Sequence, residues 1–133
     1  MQSESKVNGL LARRRKVADR YDATFRRLRE VQVPARPGYA RHAFQSYGLL
    51  LTDECRVERD DVLRALVVDH GISCRRGIPP IHLEPLYADR LGLVSLPVTE
   101  EVASGSLFLP MYASLAEADQ DRVIDAVVEI LTR

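Results

Sequence analysis

Apolar residues recur every three or four positions through the first part of the chain, and this spacing predicts a long amphipathic helix. The apolar stripe consists of Val7, Leu10, Leu11, Val17, Ala18, Tyr21, Phe25 and Leu28. Pro34 and Pro37 follow the stripe and break the helical pattern. We therefore assign residues 1–32 to a long N-terminal helix and residues 33–133 to the remainder of a single domain, 1–133.

Shorter apolar runs after this helix predict one strand and then a second helix. Residues 42–51 (HAFQSYGLLL) are rich in aromatic and aliphatic side chains, which is typical of a strand. Residues 58–70 have an apolar face and acidic residues in the first turn, so they predict a helix. Gly71 stands where a glycine often ends a helix. Residues 72–76 are short and compatible with a strand.

The last part of the chain predicts a short helix, a strand and a closing helix. Thr99 is expected to cap a helix that ends near Ser104. Residues 106–111 (SLFLPM) indicate a brief strand, and residues 114–117 (SLAE) match the capping box that starts a helix. The apolar face of that closing helix is formed by Val123, Ile124, Val127, Ile130 and Leu131. This order of elements predicts an α+β domain with roughly three short strands and helices on one side.

The segment from Arg75 to Tyr87 (RRGIPPIHLEPLY) interrupts this regular pattern. Three prolines and a glycine favour a stiff loop over a helix or a central strand. A rigid loop that carries guanidinium, imidazole and phenol groups suits an anionic ligand. A plain surface connection is an equally good interpretation of the composition alone.

Composition indicates a globular chain. Its 133 residues, 46% of them hydrophobic, are enough for one domain with a hydrophobic core. No apolar run approaches the roughly 20 residues that cross a bilayer, and the N-terminus lacks the apolar region of a signal peptide. We therefore expect a cytoplasmic protein. Cys55 and Cys74 lack a metal-ligand or CxxC spacing and are predicted to be reduced, structural thiols.

Charge is unevenly placed although the formal net charge is zero. Residues 1–42 hold eleven Lys and Arg against four Asp and Glu, so the net charge is +7 there and −7 in the remainder. The basic run at residues 13–16 could contact nucleic acid. A solvated helix face is the favoured interpretation, because no aromatic residues are interleaved with these arginines for stacking on bases.

Motifs that mark common catalytic centres are missing. The sequence contains no glycine-rich phosphate loop, HExxH motif, nucleophile elbow or Cys/His cluster. His42, His70 and His82 are scattered, and His70 suits a role at the end of a helix. His82 is the best candidate for a site, because prolines and arginines restrict its surroundings.

Several short motifs nevertheless occur in an order that resembles the C-terminal part of the DegT/DnrJ/StrS sugar aminotransferases. The motifs are Arg15-x-x-Ala18-x-x-Tyr21, His42-Ala43 before Tyr47, Arg59-Asp60, Gly71-Ile72, RRGIPPIHLEPLY, LPVTEEVASGSLFLPMY and Asp121-Arg122-Val123-Ile124. The resemblance covers essentially the whole chain. It implies the small C-terminal domain of a fold type I aminotransferase, with a few short, mostly antiparallel strands packed against three to four helices.

The resemblance also implies a cofactor, substrates and a partner domain. Enzymes of this family use pyridoxal phosphate to move an amino group from glutamate to a nucleotide-linked keto-sugar. A large domain, in the same or a separate chain, supplies the Schiff-base lysine, an acidic partner for the pyridine nitrogen and a stacking aromatic residue. Lys6 and Lys16 lie on or just before the first helix, so neither is a suitable Schiff-base lysine. We expect no bound pyridoxal phosphate and no catalysis from this chain alone.

Four residues of the loop are expected to face the substrate. By resemblance, Arg75 and Arg76 would meet a phosphate or carboxylate, His82 would hydrogen-bond the substrate near the cofactor, and Tyr87 would close the loop or contact the sugar. No catalytic residue and no cofactor or metal ligand is assigned. Gly77-Ile78 stands where many relatives have an aromatic residue, which leaves the sugar open.

Two alternatives to a fragment of an aminotransferase remain at this point. The chain could be a stand-alone binding or interaction module that retains the anion-binding loop, and nucleic-acid binding by the basic helix is a distant third. A small domain that normally packs on a large one should expose an apolar face, so a homo-oligomer is expected.

Overall fold

The computed structural model describes residues 2–133, and Met1, the first residue of the helix predicted over 1–32, lies outside the described residues. The described chain forms five α-helices, one 3₁₀-helix and a four-stranded antiparallel sheet. In chain order the elements are α1 (Gln2–Phe25), β1 (Val31–Gln32), β2 (Tyr47–Leu51), α2 (Arg59–Val68), β3 (Arg75–Arg76), the 3₁₀-helix (Ile81–Leu83), α3 (Pro85–Leu91), α4 (Pro97–Gly105), β4 (Ser106–Leu109) and α5 (Glu117–Leu131). The predicted α+β class is confirmed.

The sheet has the strand order β1-β2-β4-β3, and all neighbours are antiparallel. β2 and β4 form its centre, with Tyr47 paired to Leu109 and Leu49 to Leu107. These four side chains are buried, whereas those that alternate with them point to the opposite face. The sheet therefore has one face in the core and a second, less covered face.

The core lies between the first face of the sheet and helices α1, α2 and α5. Its apolar side chains include Tyr21, Phe25, Tyr47, Leu49, Val62, Leu66, Leu107, Val127 and Ile130. Tyr21 donates a hydrogen bond to the carbonyl of Pro110 at 2.8 Å, and Tyr47 donates one to Asp22 at 2.7 Å. The buried phenols therefore satisfy their hydroxyl groups inside the core.

The first helix is shorter than the predicted range 1–32. It ends at Phe25, and the amide of Leu28 donates to the carbonyl of Phe25 in a turn. Val31 then pairs with Leu51, and the Thr52 amide donates to Glu30. The predicted helix was therefore too long at its C-terminal end. Residues 31 and 32 form the strand β1 instead, because they pair with β2.

The predicted strand over residues 42–51 begins only at Tyr47. Phe44 has a φ of +48°, which no strand residue adopts. Its amide donates to Nδ1 of His42 at 2.8 Å, and Arg14 donates to its carbonyl at 3.1 Å. The local hydrogen bond to His42 and the tertiary hydrogen bond from Arg14 hold residues 42–46 as an irregular segment.

Helix α2 lies within the predicted range 58–70, and Gly71 follows it with a φ of +65°, as a glycine at a helix end does. The other two predicted caps are wrong. α4 begins at Pro97 with Leu96 at the N-cap, because proline suits the first helical turn, so Thr99 lies inside the helix. α5 begins at Glu117 with Ala116 at the N-cap and no side-chain cap, so Ser114 does not form the capping box.

The remaining differences concern the number and placement of elements. β1 adds a fourth strand to the roughly three expected. α4 does not join the helices on the core face, since Val98, Val102 and Ala103 border a groove on the opposite face of the sheet. The predicted loop holds β3, the 3₁₀-helix and, from Pro85 onward, α3, because proline at the first helical position starts a helix there.

Two findings concern properties expected from composition. Among residues 2–133, no helix combines the length and the apolar character needed to cross a membrane. Cys55 and Cys74 are both free thiols, and burial raises the pKa of Cys74.

Candidate functional site

The segment that carries the candidate residues is anchored at the edge of the sheet. β3 pairs with β4 through Arg75–Phe108 and Arg76–Leu107, and the Gly77 amide continues the ladder by donating to the Ser106 carbonyl at 3.0 Å. A Cβ at Gly77 would lie 1.8 Å from the hydroxyl oxygen of Ser106. A side chain at this position would therefore displace the Ser106 side chain where the loop leaves the sheet.

Arg75 and Arg76 do not converge on one point, because successive side chains of a strand point to opposite faces. The guanidinium carbon of Arg75 lies 5.9 Å from the centre of the Phe108 ring. Arg76 reaches the other way and places Nη2 3.4 Å from Oδ2 of Asp60 at the start of α2. Both side chains are exposed, so an anion could meet either guanidinium, but a single small anion would not meet both.

His82 is the most buried of the candidate residues. Only 5% of its surface is exposed, and Nε2 lies 2.8 Å from Oε1 of Glu100. The amide of Leu96 donates to the same carboxylate oxygen at 3.1 Å. The hydrogen bonds from His82 and from Leu96 lower the pKa of Glu100, so the carboxylate is ionised at neutral pH and His82 Nε2 is the donor.

The pair of His82 and Glu100 joins two pieces of local structure. His82 belongs to the 3₁₀-helix that follows Pro79-Pro80, and Glu100 lies in the first turn of α4. With Nε2 occupied by Glu100, a neutral imidazole offers only Nδ1, as an acceptor, to another molecule. The arrangement fixes the loop against α4.

Tyr87 lies on α3 and is 43% exposed. α3 begins at Pro85 and ends before Gly92, whose φ is +72°. Its neighbours Leu86 and Leu91 are also exposed. The phenol of Tyr87 is therefore available to another molecule, on a different element from Arg75, Arg76 and His82.

An open groove lies on the second face of the sheet. Its volume is about 760 Å³, and β2, β4, the segment from Gln32 to Ala35, the loop Ile78–Ile81 and α4 form its walls. The lining is mainly apolar and includes Val33, Leu50, Val98, Val102 and Phe108. Of the described residues, the loop contributes Ile78, Pro79, Pro80 and Ile81, and none of the four candidate site residues lines this groove.

A second groove of about 680 Å³ lies on the other side of the same loop. Arg76, Arg59, Glu100 and Glu101 line it together with Gly77, Pro79, Pro80 and Leu83. The Arg59 guanidinium is committed to the protein, since Nη1 donates to the carbonyls of Ala103 and Ser106 at 3.0 Å each. Arg76 is thus the candidate residue with access to a concave, mixed-charge surface.

Within residues 2–133, no three His, Cys, Asp or Glu side chains are close enough to bind a metal ion. Lys6 and Lys16 both lie on α1, and Lys16 pairs with Glu117 at 3.2 Å. Neither lysine lines one of the grooves described above.

Two residues that shape the site were not identified from the sequence. Glu100 was part of the LPVTEEVASGSLFLPMY motif with no role of its own, whereas it holds His82. Arg59 was part of a motif with no assigned role, whereas it binds the end of α4. Sequence spacing carries no signal for either contact, because the partners are 18 and more than 40 residues away.

The sequence and the fold both match known proteins over nearly the whole chain. The sequence model of the DegT/DnrJ/EryC1/StrS aminotransferase family matches residues 4–128. GDP-perosamine synthase from Caulobacter vibrioides is 35% identical over 95% of this chain and 34% of its own length. The dTDP-3-amino-3,4,6-trideoxy-alpha-D-glucose transaminase from Micromonospora megalomicea subsp. nigra is 34% identical over 96% of this chain and 34% of its own length.

Among solved structures, the aminotransferase TlmJ from Streptoalloteichus hindustanus superposes with a TM-score of 0.84 at 26% identity. The superposition covers 96% of this chain and 33% of TlmJ. The chain thus spans about a third of the length of the relatives that it matches.

Proposed function

Because this chain belongs to the DegT/DnrJ/EryC1/StrS aminotransferase family, we propose that it serves as the small C-terminal domain of an enzyme that aminates a nucleotide-linked keto-sugar. The observation that carries this proposal is the agreement of sequence and fold over nearly the whole chain with about a third of each relative. Two of these relatives have names that include a nucleotide and an amino sugar. Glutamate as the amino donor and a cytoplasmic location belong to the same proposal.

The cofactor is proposed to bind outside this chain. Pyridoxal phosphate supplies an electron sink for amino transfer in this family, and it needs a lysine for its Schiff base. Lys6 and Lys16 do not fit that task, since both lie on α1 and neither lines a described groove. We infer that a large domain, in the same or another chain, provides the lysine, and that this chain does not transaminate alone.

The residues of the loop are proposed to form one wall of the substrate site. Arg75 and Arg76 present exposed guanidinium groups on two sides of β3, and such groups suit a phosphate or a carboxylate. Tyr87 offers an exposed phenol on α3. His82 would contact the substrate through Nδ1, because Glu100 occupies Nε2, and it would also hold the loop in place.

A chimeric enzyme tests the proposed function directly. The matched third of GDP-perosamine synthase from Caulobacter vibrioides would be replaced by this chain, and amino transfer to the keto-sugar nucleotide would be measured. We expect activity in the chimera and none in the same enzyme truncated before that third. A folded chimera that holds pyridoxal phosphate but transfers no amino group would contradict the proposal.

A spectroscopic experiment tests the absence of catalysis by the chain alone. The purified chain, mixed with pyridoxal phosphate, should show no absorbance band of lysine-bound cofactor and no stoichiometric adduct after borohydride reduction. An adduct on Lys6 or Lys16 at one equivalent per chain would show that the cofactor site had been misassigned. Lys6→Arg and Lys16→Arg variants would then identify the lysine.

The second candidate function is a stand-alone module that binds an anion through the loop. The exposure of Arg75 and Arg76 is the observation that favours it. Titration of the chain alone with GDP, followed by calorimetry, separates the two functions. Specific binding that Arg76→Ala removes and the control Arg64→Ala retains would favour the module, whereas undetectable binding favours a site completed by another domain.

A further inference from the structure

Exposed apolar side chains are concentrated in one part of the chain. On the 3₁₀-helix, α3 and the segment up to the first turn of α4, the side chains of Ile81, Leu83, Leu86, Leu91, Leu93 and Val98 are all exposed. We call these six residues the α3 surface. Isolated apolar residues on a surface are ordinary, but a cluster of this kind marks an interaction site.

α3 has very little support from the rest of the described chain. None of its residues is buried against residues 2–133, and its main packing neighbour is the 3₁₀-helix. A helix of seven residues is marginal in water without tertiary packing. Its apolar side chains therefore need a partner that the described chain does not provide.

The large groove extends the same surface. Ile81 belongs to the α3 surface and also lines the groove, as does Val98. Together they form a continuous apolar area that runs from α3 across the loop to the second face of the sheet. Within the described chain, α4 borders this face and leaves a groove of about 760 Å³ open beside it, whereas α1, α2 and α5 cover the first face.

We propose that the α3 surface and the adjoining groove are the docking surface for the cofactor-binding portion of the aminotransferase, an inference that rests on the proposed function. About two thirds of each relative has no counterpart in this chain, so a polypeptide roughly twice its size must pack somewhere on it. Interfaces between permanently associated domains are large and apolar, and six exposed apolar side chains lie together on this surface. Docking there would bring the missing portion against Tyr87 and the loop.

Hydrogen exchange on the chain alone and on the chimera with GDP-perosamine synthase tests this docking surface. Amides of residues 85–96 should exchange about tenfold more slowly in the chimera than in the isolated chain, because coverage suppresses local opening. The amides of α5 serve as the internal control and should be protected in both. Equal exchange of residues 85–96 in a chimera with a protected α5 would overturn the proposal.

The same samples distinguish this inference from the proposed function and from self-association. Protection of residues 85–96 without amino transfer would support the docking surface and contradict the function. Amino transfer without protection of residues 85–96 would support the proposed function and contradict the docking surface. Protection that already appears in the isolated chain and rises with its concentration would identify a second copy as the occupant and overturn the proposal.

A measurement on the isolated chain decides the matter if the chimera does not fold. The double variant Leu86→Lys/Leu93→Lys should lose about half of the fluorescence of a dye that binds exposed apolar surface. The control Val68→Lys replaces an exposed apolar residue of α2, outside this surface, and should lose little. Unchanged fluorescence in the folded double variant would show that the α3 surface is not the free apolar area and would overturn the proposal.

Discussion

Nε2 of His82 lies 2.8 Å from Oε1 of Glu100, and this contact joins the proline-rich loop to the first turn of α4. The histidine is buried. The carboxylate also accepts a hydrogen bond from the amide of Leu96. A single side chain thus satisfies an imidazole and a free amide at a helix start. The shape of the loop that carries the candidate site depends on this carboxylate.

Removing the carboxylate should loosen the loop without unfolding the core. We expect Glu100→Ala to speed the hydrogen exchange of residues 78–84 and to lower the urea midpoint, because His82 is left buried without its acceptor. The matched control is Glu101→Ala, which removes a neighbouring carboxylate without any contact to His82. If both variants exchange at the rate of the parent chain, Glu100 does not hold the loop.

The same contact gives stability a pH dependence of known sign. The pKa of Glu100 is lowered in the folded chain, so the carboxylate contributes stability above the ordinary glutamate pKa of about 4.3. That contribution is lost as the pH falls through the lower, folded-state pKa. In the parent chain the free energy of unfolding should therefore decline as the pH falls below about 4.3, and Glu100→Gln should make this decline less steep. Urea titrations at several pH values measure the decline, and Glu101→Gln is the control.

Local patterns in the sequence predicted that the core helices exist and which face of α5 is buried. Of the five residues assigned to that face, Val123, Val127, Ile130 and Leu131 are buried and Ile124 is partly buried. In α1, Val7 and Leu10 of the predicted apolar stripe are exposed. Gly71 was identified as the residue that follows α2 because a positive φ favours glycine at that position. Such features depend on neighbours within one or two helical turns, so the sequence contains their cause.

Features set by distant contacts could not be predicted in this way. β1 exists because Val31 pairs with Leu51, and the irregular segment before β2 exists because Arg14 on α1 binds the carbonyl of Phe44. His82 was identified as a candidate residue, but its partner Glu100 was not. The burial of His82 and the opposite directions of Arg75 and Arg76 became clear only with the sheet in place.

The buried hydrogen bond between Tyr47 and Asp22 should contribute more to the free energy of unfolding than an exposed hydrogen bond does. The phenol donates at 2.7 Å inside the core, and burial, with a further contribution from Asp22, raises the pKa of Tyr47. Tyr47→Phe should lower the free energy of unfolding by about 1–2 kcal/mol, because Asp22 loses a buried donor. Arg36 and Arg26 still bind Asp22, which limits the loss.

Chemical denaturation measures this effect, and Tyr112→Phe is the matched control. Tyr112 is 46% exposed, so removal of its hydroxyl should change the free energy of unfolding by less than about 0.5 kcal/mol. Equal effects of the two substitutions would show that the Tyr47 hydroxyl makes no special contribution to the core.

A side chain at Gly77 should destabilise the chain, because the Ser106 side chain lies close to this position. A Cβ at this position would lie 1.8 Å from Oγ and 3.1 Å from Cβ of Ser106. Gly77→Ala should therefore destabilise the chain by about 1–3 kcal/mol in urea denaturation, as overpacking does. It should also displace the loop that begins at Gly77, which a faster exchange of the Gly77 region would reveal.

A second substitution tests whether steric overlap is the cause. Ser106→Ala removes the oxygen that makes the shortest contact, so the double variant Gly77→Ala/Ser106→Ala should recover most of the stability that Gly77→Ala loses, a coupling expected of residues in contact. Gly38→Ala is the control for a lost glycine, since a Cβ at Gly38 meets nothing within 4 Å. If the double variant is as unstable as Gly77→Ala, overlap with the Ser106 hydroxyl is not the cause of the lost stability.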